Sequence, residues 1–479
     1  MKKMTDIFDG FDKKKFGWFH VRSILTTGMG VFTDGYDLSS VGIVLAIILT
    51  SYGITKTTPG YTLFLSLVAG TALIGAAAGA IIFGELARRG RTKFYGIDVL
   101  ILGIGAILQI FAVNVYVLII IRLALGIGVG ADYVLSPMIM GEHANAKDRG
   151  KTIAFGFGLM WGFGAVTAAF VYFVFAPIVA PAVLWRIVLA AGSIPALGVV
   201  YLRRKMPETP RFIARIAGNK KSFEDELKYV AGREVRIEGN IKDGHNFKYY
   251  FKKYKREFIS AILLWFLFDQ VAYAGILFGP TLIASKLGLT PDGFTFLVEA
   301  AFTIPGGLLL LSLIDKKGRK ILQVLGFTGM GGFLLLFVGF EKLGIITALP
   351  LVGLLLYGMG MDFSSQVGPG SITASGMLGV ELAPTKIRSQ IQSYTVAGGR
   401  LGASIATFIF PAIFIGAGEI YAFYYLASMA ILAAIITFVF IPETKGSLEN
   451  ASGEAKEMEK INVINETPMA HEANIVGKK

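Results

Sequence analysis

Three phrases recur in the two halves of this chain, in the same order and at nearly one offset. Glu142 leads to Arg149 in Gly141-Glu142-His143-Ala144-Asn145-Ala146-Lys147-Asp148-Arg149. Glu381 leads to Arg388, at the same seven-residue spacing, 239 residues further on. Pro207-Glu208-Thr209-Pro210-Arg211 recurs as Pro442-Glu443-Thr444-Lys445-Gly446, 235 residues later, and Gly90-Arg91 as Gly318-Arg319, 228 later. Shared order at shared spacing marks a duplicated structural unit. The surrounding chain is 54% hydrophobic and only 16% charged, with mean hydropathy +0.63, too little charge for a soluble protein of 479 residues. A half-length repeat in so apolar a chain implies two helical bundles with a site between them.

Apolar runs of about 20 residues recur throughout, each long enough to cross roughly 30 Å of hydrocarbon as a helix. The expected spans are 24–50, 61–87, 94–113, 115–141, 152–175, 183–202, 258–286, 293–314, 320–340, 343–376, 387–415 and 420–441. The expected fold is therefore an all-α membrane protein of twelve transmembrane helices in two six-helix bundles. The units would be 1–202, a basic loop 203–257, 258–441, and a tail 442–479. The loop's polar, Lys-rich pattern suggests one or two short surface helices. The tail lacks apolar periodicity and is expected to be disordered. The 59 glycines suit close helix packing.

The net charge of +13 is distributed in alternate loops rather than in one basic face, so no nucleic-acid partner is expected. Lys13, Lys14, Lys15, Arg88, Arg89, Arg91, Lys93, Lys147, Arg149, Lys151, Lys316, Lys317, Arg319, Lys320, Lys386 and Arg388 fall on one side. Lys56, Lys286 and Lys342 fall on the other. Positive charge is retained in the cytoplasm, so both termini are expected there, in a multi-pass protein of the cell membrane. No cleavable signal is evident. The absence of cysteine removes disulfides and thiolate metal sites. His20, His143, His245 and His471 lie near or beyond span ends without metal-ligand spacing, so neither a metal nor a cofactor is expected.

Ionisable residues inside spans are costly and mark function by default. Asp34 and Asp37 share one face of the first span by their i, i+3 spacing. Arg122 and Asp132 lie in the fourth, Asp269 in the seventh, Glu299 in the eighth, Asp362 in the tenth and Arg400 in the eleventh. Asp98, Glu142 and Glu381 sit near loop boundaries, where ion pairs and helix caps are the simpler reading. Asp34, Asp37 and Asp132 are candidates for a proton path. A desolvated carboxyl binds its proton more tightly, and movement of Arg122 relative to an aspartate would switch that affinity. Glu142, Arg149, Glu381 and Arg388, with Asp315 and Arg319, are candidates for charge pairs that gate the cytoplasmic side. Trp265, Asp269 and Tyr273 fall at i, i+4 and i+8 on one face, where a ring N–H, a carboxyl and a phenol could meet a polar substrate, or where aromatic rings could simply pack.

At these residues the chain resembles the major facilitator superfamily over about residues 1–449. Asp315-Lys316-Lys317-Gly318-Arg319-Lys320 is similar to the family's loop after the eighth helix. Arg122-x-x-x-Gly126-x-Gly128-x-Gly130 is similar to its fourth-helix pattern, and the two Pro-Glu-Thr phrases to the sixth- and twelfth-helix ends. In the loop after the second span, Gly84-Glu85-Leu86-Ala87-Arg88-Arg89-Gly90-Arg91 lacks the usual acid before its arginine, and Glu85 is the candidate replacement. Phe32-Thr33-Asp34-Gly35-Tyr36-Asp37, Gly130-Ala131-Asp132-Tyr133 and Trp265 to Tyr273 resemble the phosphate:proton symporters within that superfamily. The resemblance implies a substrate cavity of Tyr133, Trp161, Trp265, Asp269, Tyr273, Gln366 and Arg400, with protons as the coupled partner, a lipid bilayer around it, and a monomer. Arg400 stands where those symporters have a lysine, and could grip an anion with two N–H groups.

Two departures accompany the resemblance. Trp161 stands where the symporters have a glutamine, and the tenth span lacks their asparagines. Asp37 and Arg122 also resemble the acid–arginine pair of sugar porters. A sugar or organic acid is thus the alternative substrate. A membrane sensor that binds without transporting is the alternative from another class. No nucleotide loop, triad or metal cluster positions a reaction, so no enzyme is expected.

Overall fold

The computed structural model describes residues 7–13, 17–231, 235–458 and 462–465. Apolar helices dominate. In chain order they are α1 (Trp18–Ser51), α2 (Tyr61–Arg89), α3 (Ile97–Phe111), α4 (Val115–His143), α5 (Arg149–Phe175) and α6 (Pro181–Arg204). The second half repeats the pattern with α7 (Phe247–Leu287), α8 (Pro291–Lys317), α9 (Arg319–Lys342), a broken α10 (350–372), α11 (Arg388–Gly416) and α12 (Glu419–Phe440). Among the described residues, ten of these helices are long and apolar enough to cross a membrane. The other two are the shorter α3 and the interrupted α10.

Local chemistry explains several boundaries. Asn114 caps α4 by accepting from the Val117 N–H at 3.0 Å, and Asn246 caps α7 by accepting from Tyr249 at 3.0 Å. The polar stretch after Asn246 continues into α7 past a kink at Tyr254, so this helix begins well before the expected residue 258. Hydropathy registers only its apolar part. The helix α10 breaks into Pro350–Tyr357, a π segment Gly358–Phe363, Ser364–Val367 and Pro369–Ile372. Pro369 has no N–H to donate, and Gly368 before it leaves helical geometry at φ −135, ψ −105.

The helices of the first half pack closely because glycines face backbone. A Cβ on Gly126 would lie 1.9 Å from the Ala72 carbonyl oxygen, and one on Gly130 1.9 Å from that of Ala76. Gly75 and Gly79 of α2 meet α4 backbone in the same way. This reciprocal small-residue contact is the close approach expected from the glycine content. The two halves then join through α2 against α11, α5 against α8 and α1 against α7.

Outside the bundles, the described part of the tail departs from the expected disorder; residues 459–461 and 466–479 lie outside the described residues. Leu448–Ala451 and Glu454–Glu457 are helical, and Asn462–Asn465 pairs antiparallel with Val235–Glu238 of the central loop. Charge pairing is the reason, which a search for apolar periodicity cannot see. Arg211 bonds Glu449 at 2.6 Å, and Arg215 bonds Glu454 at 2.6 Å, all buried. Ile7, Phe8, Phe223, Leu227, Ile237, Ile241 and Met458 form a small apolar core among the N-terminal segment, the loop and the tail. The loop contributes the helix Lys220–Ala231, in line with expectation. Lys14, Lys15 and His471 lie outside the described residues.

Candidate functional site

A cavity of about 80 Å³ lies between the two halves. Tyr133 of α4 and Trp161 of α5 line it from one side; Asp269 and Tyr273 of α7, Gln366 of α10 and Arg400 of α11 line it from the other. Six of the seven expected substrate residues therefore meet in one place. Trp265, the seventh, is not part of the lining: it is buried behind it, with its ring 6.2 Å from that of Tyr133. One turn along α7 from Asp269, the indole packs tightly under Gly399 of α11.

Arg400 is the centre of the cavity's chemistry. Its guanidinium stacks 4.0 Å over the Tyr133 ring, lies 3.3 Å from Asp269 and donates to the Tyr273 hydroxyl. It is 1% exposed, yet its Nε has no partner, and neither does Asp269 Oδ1. A buried cation with a free N–H, beside a carboxylate with a free oxygen, is an unsatisfied arrangement that a polar solute can complete. Gln366 accepts from Ser371 at 2.8 Å, which leaves its amide N–H groups available to the cavity.

The proton-path candidates separate into two pairs in the first half. Arg122 stands 3.6 Å from Asp37 and donates to Gln109 at 3.1 Å and to the Val68 carbonyl at 2.8 Å. Asp132 pairs instead with Arg203, at 2.7 Å, and the same guanidinium bonds Asp98 at 2.6 Å. Arg203 is fully buried in the last turn of α6. The helix runs to Arg204, two residues beyond the expected span end at 202. Charge at the edge of an apolar run reads as loop, and only the facing acids Asp98 and Asp132 reveal that it turns inward. Gly30 permits the arrangement, since a Cβ there would lie 2.0 Å from Asp132 Oδ2 and 2.1 Å from the Arg203 guanidinium. Asp34 is buried among these charges, with no hydrogen-bond partner on either oxygen.

At the arginine-rich end, the repeated phrases converge on two buried glutamates. Glu142 accepts from Arg91 at 3.3 Å, from the Thr209 hydroxyl at 2.5 Å and from Arg388 of the other half at 2.7 Å. Glu381 accepts from Arg319 at 2.9 Å, from the Thr444 hydroxyl at 2.5 Å and from Arg149 of the other half at 2.8 Å. Each glutamate thus gathers the Gly-Arg and Pro-Glu-Thr phrases of its own half and the arginine of its counterpart. Asp315 adds a further bridge, accepting from the N–H groups of Gly150 and Lys151 at 3.1 and 2.9 Å. Glu85 takes no part: it forms an exposed pair with Arg88. At the opposite end Lys286 joins Glu341 and Glu419, all within the second half.

Two apolar bundles joined at one end by buried ion pairs, around a charged cavity, define a membrane transporter. Comparison with known proteins agrees. The pattern of the sugar (and other) transporter family matches residues 23–451, and the chain belongs to that family. Among curated relatives, inorganic phosphate transporter 1-2 of Oryza sativa subsp. japonica is 31% identical, over 95% of this chain and 96% of the relative. Inorganic phosphate transporter 1-11 of the same organism is 31% identical, over 94% and 90%. Low affinity inorganic phosphate transporter 4 of Medicago truncatula is 29% identical, over 94% of each. Among solved structures, the proton:xylose symporter XylE bound to 6-bromo-6-deoxy-D-glucose superposes with a TM-score of 0.75 at 20% identity, covering 91% of this chain and 99% of that one. The inward open conformation of XylE from E. coli gives 0.67 at 22% identity, over 91% and 99%. At these identities the likeness shows the fold.

Proposed function

We propose that this protein is a proton-coupled importer of inorganic phosphate or a closely related anion, working by alternating access. In this reading twelve segments cross the membrane, with the short α3 and broken α10 among them and both termini in the cytoplasm. The arginine-rich end is the closed cytoplasmic gate. The observation that carries the reading is Arg400, a buried guanidinium with an unsatisfied N–H in the cavity between the halves. The relatives named as phosphate transporters support it.

The geometry suggests how proton and anion are loaded together. Arg400 is neutralised by Asp269 at 3.3 Å. An incoming phosphate adds negative charge beside that carboxylate, and two anions in a water-poor site repel strongly unless one carries a proton. Dihydrogen phosphate, or a protonated Asp269, meets the condition by placing an O–H between the two. Tyr273 and Tyr133 add a hydroxyl each and hold the guanidinium plane. On the first half, Asp132 exchanges its proton against its bond with Arg203, and Asp37 against Arg122. Asp34 lies between the two pairs as the relay. Release of Glu142 and Glu381 from the opposite half's arginines then opens the cytoplasmic end.

Binding tests the substrate assignment. Titration of phosphate into the purified protein should give saturable heat, insensitive to excess xylose or glucose. Arg400→Lys keeps the charge but loses the planar fork, and should weaken phosphate binding by about 10- to 100-fold, the range for one charge-assisted hydrogen bond. Sugar binding that phosphate does not compete with would instead favour the sugar reading that the Asp37–Arg122 pair allows. Tight binding without uptake would favour a sensor.

A further inference from the structure

Glu299 is a buried acid and Asp362 a half-buried one, and the mechanism above uses neither. Glu299 opens a π segment, Glu299–Thr303, in α8. Asp362 lies in the π segment Gly358–Phe363 of α10, and the two segments pack against one another. π turns insert an extra residue and re-aim side chains, and they concentrate at functional sites. Both carboxyls line the same cavity as Arg400. The Thr303 side chain interacts with each of them, and Glu299 feels the charge of Asp362. Glu299 is 4% exposed, and its Oε2 has no partner; Asp362 Oδ2 has none either.

The other buried aspartates of the membrane helices differ in their partners. Asp132 has Arg203, Asp37 has Arg122 and Asp269 has Arg400. Among the described residues, no basic side chain lies within ion-pairing distance of Glu299 or Asp362. The titratable neighbour on α10 is Tyr357, whose phenol faces both. The α7 stretch against them presents Gly275 and Gly279 to that phenol, and the facing part of α5 presents Gly162. The charged residues of α8, Asp292, Asp315, Lys316 and Lys317, lie toward its ends, as do Arg319, Lys320, Glu341 and Lys342 of α9. Two adjacent carboxylates at bilayer depth cannot both stay ionised without a counter-charge.

We propose that Glu299 and Asp362 form a second monovalent-cation site in the transport cavity, binding one proton or one sodium ion between their carboxyls. Thr303 supplies a hydroxyl ligand, and the site sits in the second half, apart from the aspartates of α1 and α4. It rests on the reading of the cavity as the transport path, and not on phosphate as the substrate. Its consequence is a second coupled charge for each transported solute.

Infrared difference spectroscopy on the purified full-length protein tests this without any substrate. Acidifying a sodium-free sample buffered in choline chloride should produce the band of a protonated, buried carboxyl. That band should lose intensity in Glu299→Gln and again in Asp362→Asn. Two single variants are used so that misfolding of one, checked by size-exclusion chromatography, leaves the other. Sodium chloride in place of choline chloride distinguishes the ligands: suppression of the band identifies sodium, and no effect identifies the proton. An acid-induced band unchanged in both folded variants, with sodium also without effect, would overturn the proposal. Phosphate binding is measured in parallel, so a failed substrate assignment shows there and leaves the infrared result intact.

Discussion

Arg203 shows what one residue decides in this molecule. It holds Asp98 and Asp132 in bonds of 2.6 and 2.7 Å, with all three side chains shut from solvent. Breaking a buried pair by deleting one partner leaves uncompensated charge and costs about 3–5 kcal/mol. Arg203→Ala should therefore unfold at a clearly lower temperature in detergent, a loss that Arg203→Ala combined with Asp98→Asn and Asp132→Asn partly restores. Unchanged thermal stability of the single variant would show the charges to be solvated. Asp132→Asn alone keeps a polar partner for Arg203. It should abolish pH-driven accumulation of substrate yet retain counterflow exchange, measured with labelled substrate in vesicles. Full proton-driven uptake by that variant would remove Asp132 from the coupling path. Individual residues of the cavity were legible from sequence because charge inside an apolar span is rare. Arg203 was not, because it ends its span and its partners lie on α3 and α4. Trp265 was legible as a face of α7 but not as a residue set behind the lining, since that depends on how Gly399 of α11 approaches.

The tail and the central loop show the same limit for whole elements. Residues 448–458 fold because Arg211 and Arg215 of the loop seek Glu449 and Glu454. Burial alone would raise the Glu454 carboxyl, but Arg215 and Arg388 outweigh it and hold the group below its ordinary value of 4.5. A carboxyl depressed by folding contributes stability above its unfolded pKa, and that contribution disappears as pH falls through the folded value. Docking of the tail should thus be fully retained above about pH 4.5 and weaken on further acidification. Amide hydrogen exchange at 448–458 in the full-length protein reads this directly. Glu454→Gln should raise exchange there and flatten its pH dependence; protection independent of pH in the native chain would contradict the account. The interrupted α10 is the other element that hydropathy misjudged. Its Gly and Pro residues were visible, but whether they break a helix or merely kink it depends on its neighbours. Here Gly326 of α9 packs closely against Gly368 and Pro369, where a Cβ on it would lie 2.7 and 2.6 Å from them.

Across the whole molecule, the duplicated phrases carry the design. Glu142 and Glu381 each bind arginines of both halves, so the proposed gate would be a pair of equivalent clasps rather than one lock. The repeat makes the clasp residues legible in the sequence. It did not show that the arginines exchange partners across the halves, because sequence spacing says nothing of contacts between bundles. Opening must break both clasps. Arg149→Ala with Arg388→Ala should therefore favour the form open at that end. The chain has no native cysteine, so Ser371→Cys beside Gln366 offers a clean reporter. Its labelling by a membrane-impermeant maleimide added at the arginine-rich side should accelerate in the double variant, and an unchanged rate would mean that the clasps do not hold the closed form. The account as a whole stands on proton-driven anion uptake. Labelled phosphate should accumulate in proteoliposomes under an imposed inward proton gradient, collapse with an uncoupler, and fail to accumulate in Arg400→Ala. No accumulation, in vesicles shown to hold folded and correctly oriented protein, would contradict the central claim while leaving the two-bundle transporter fold intact.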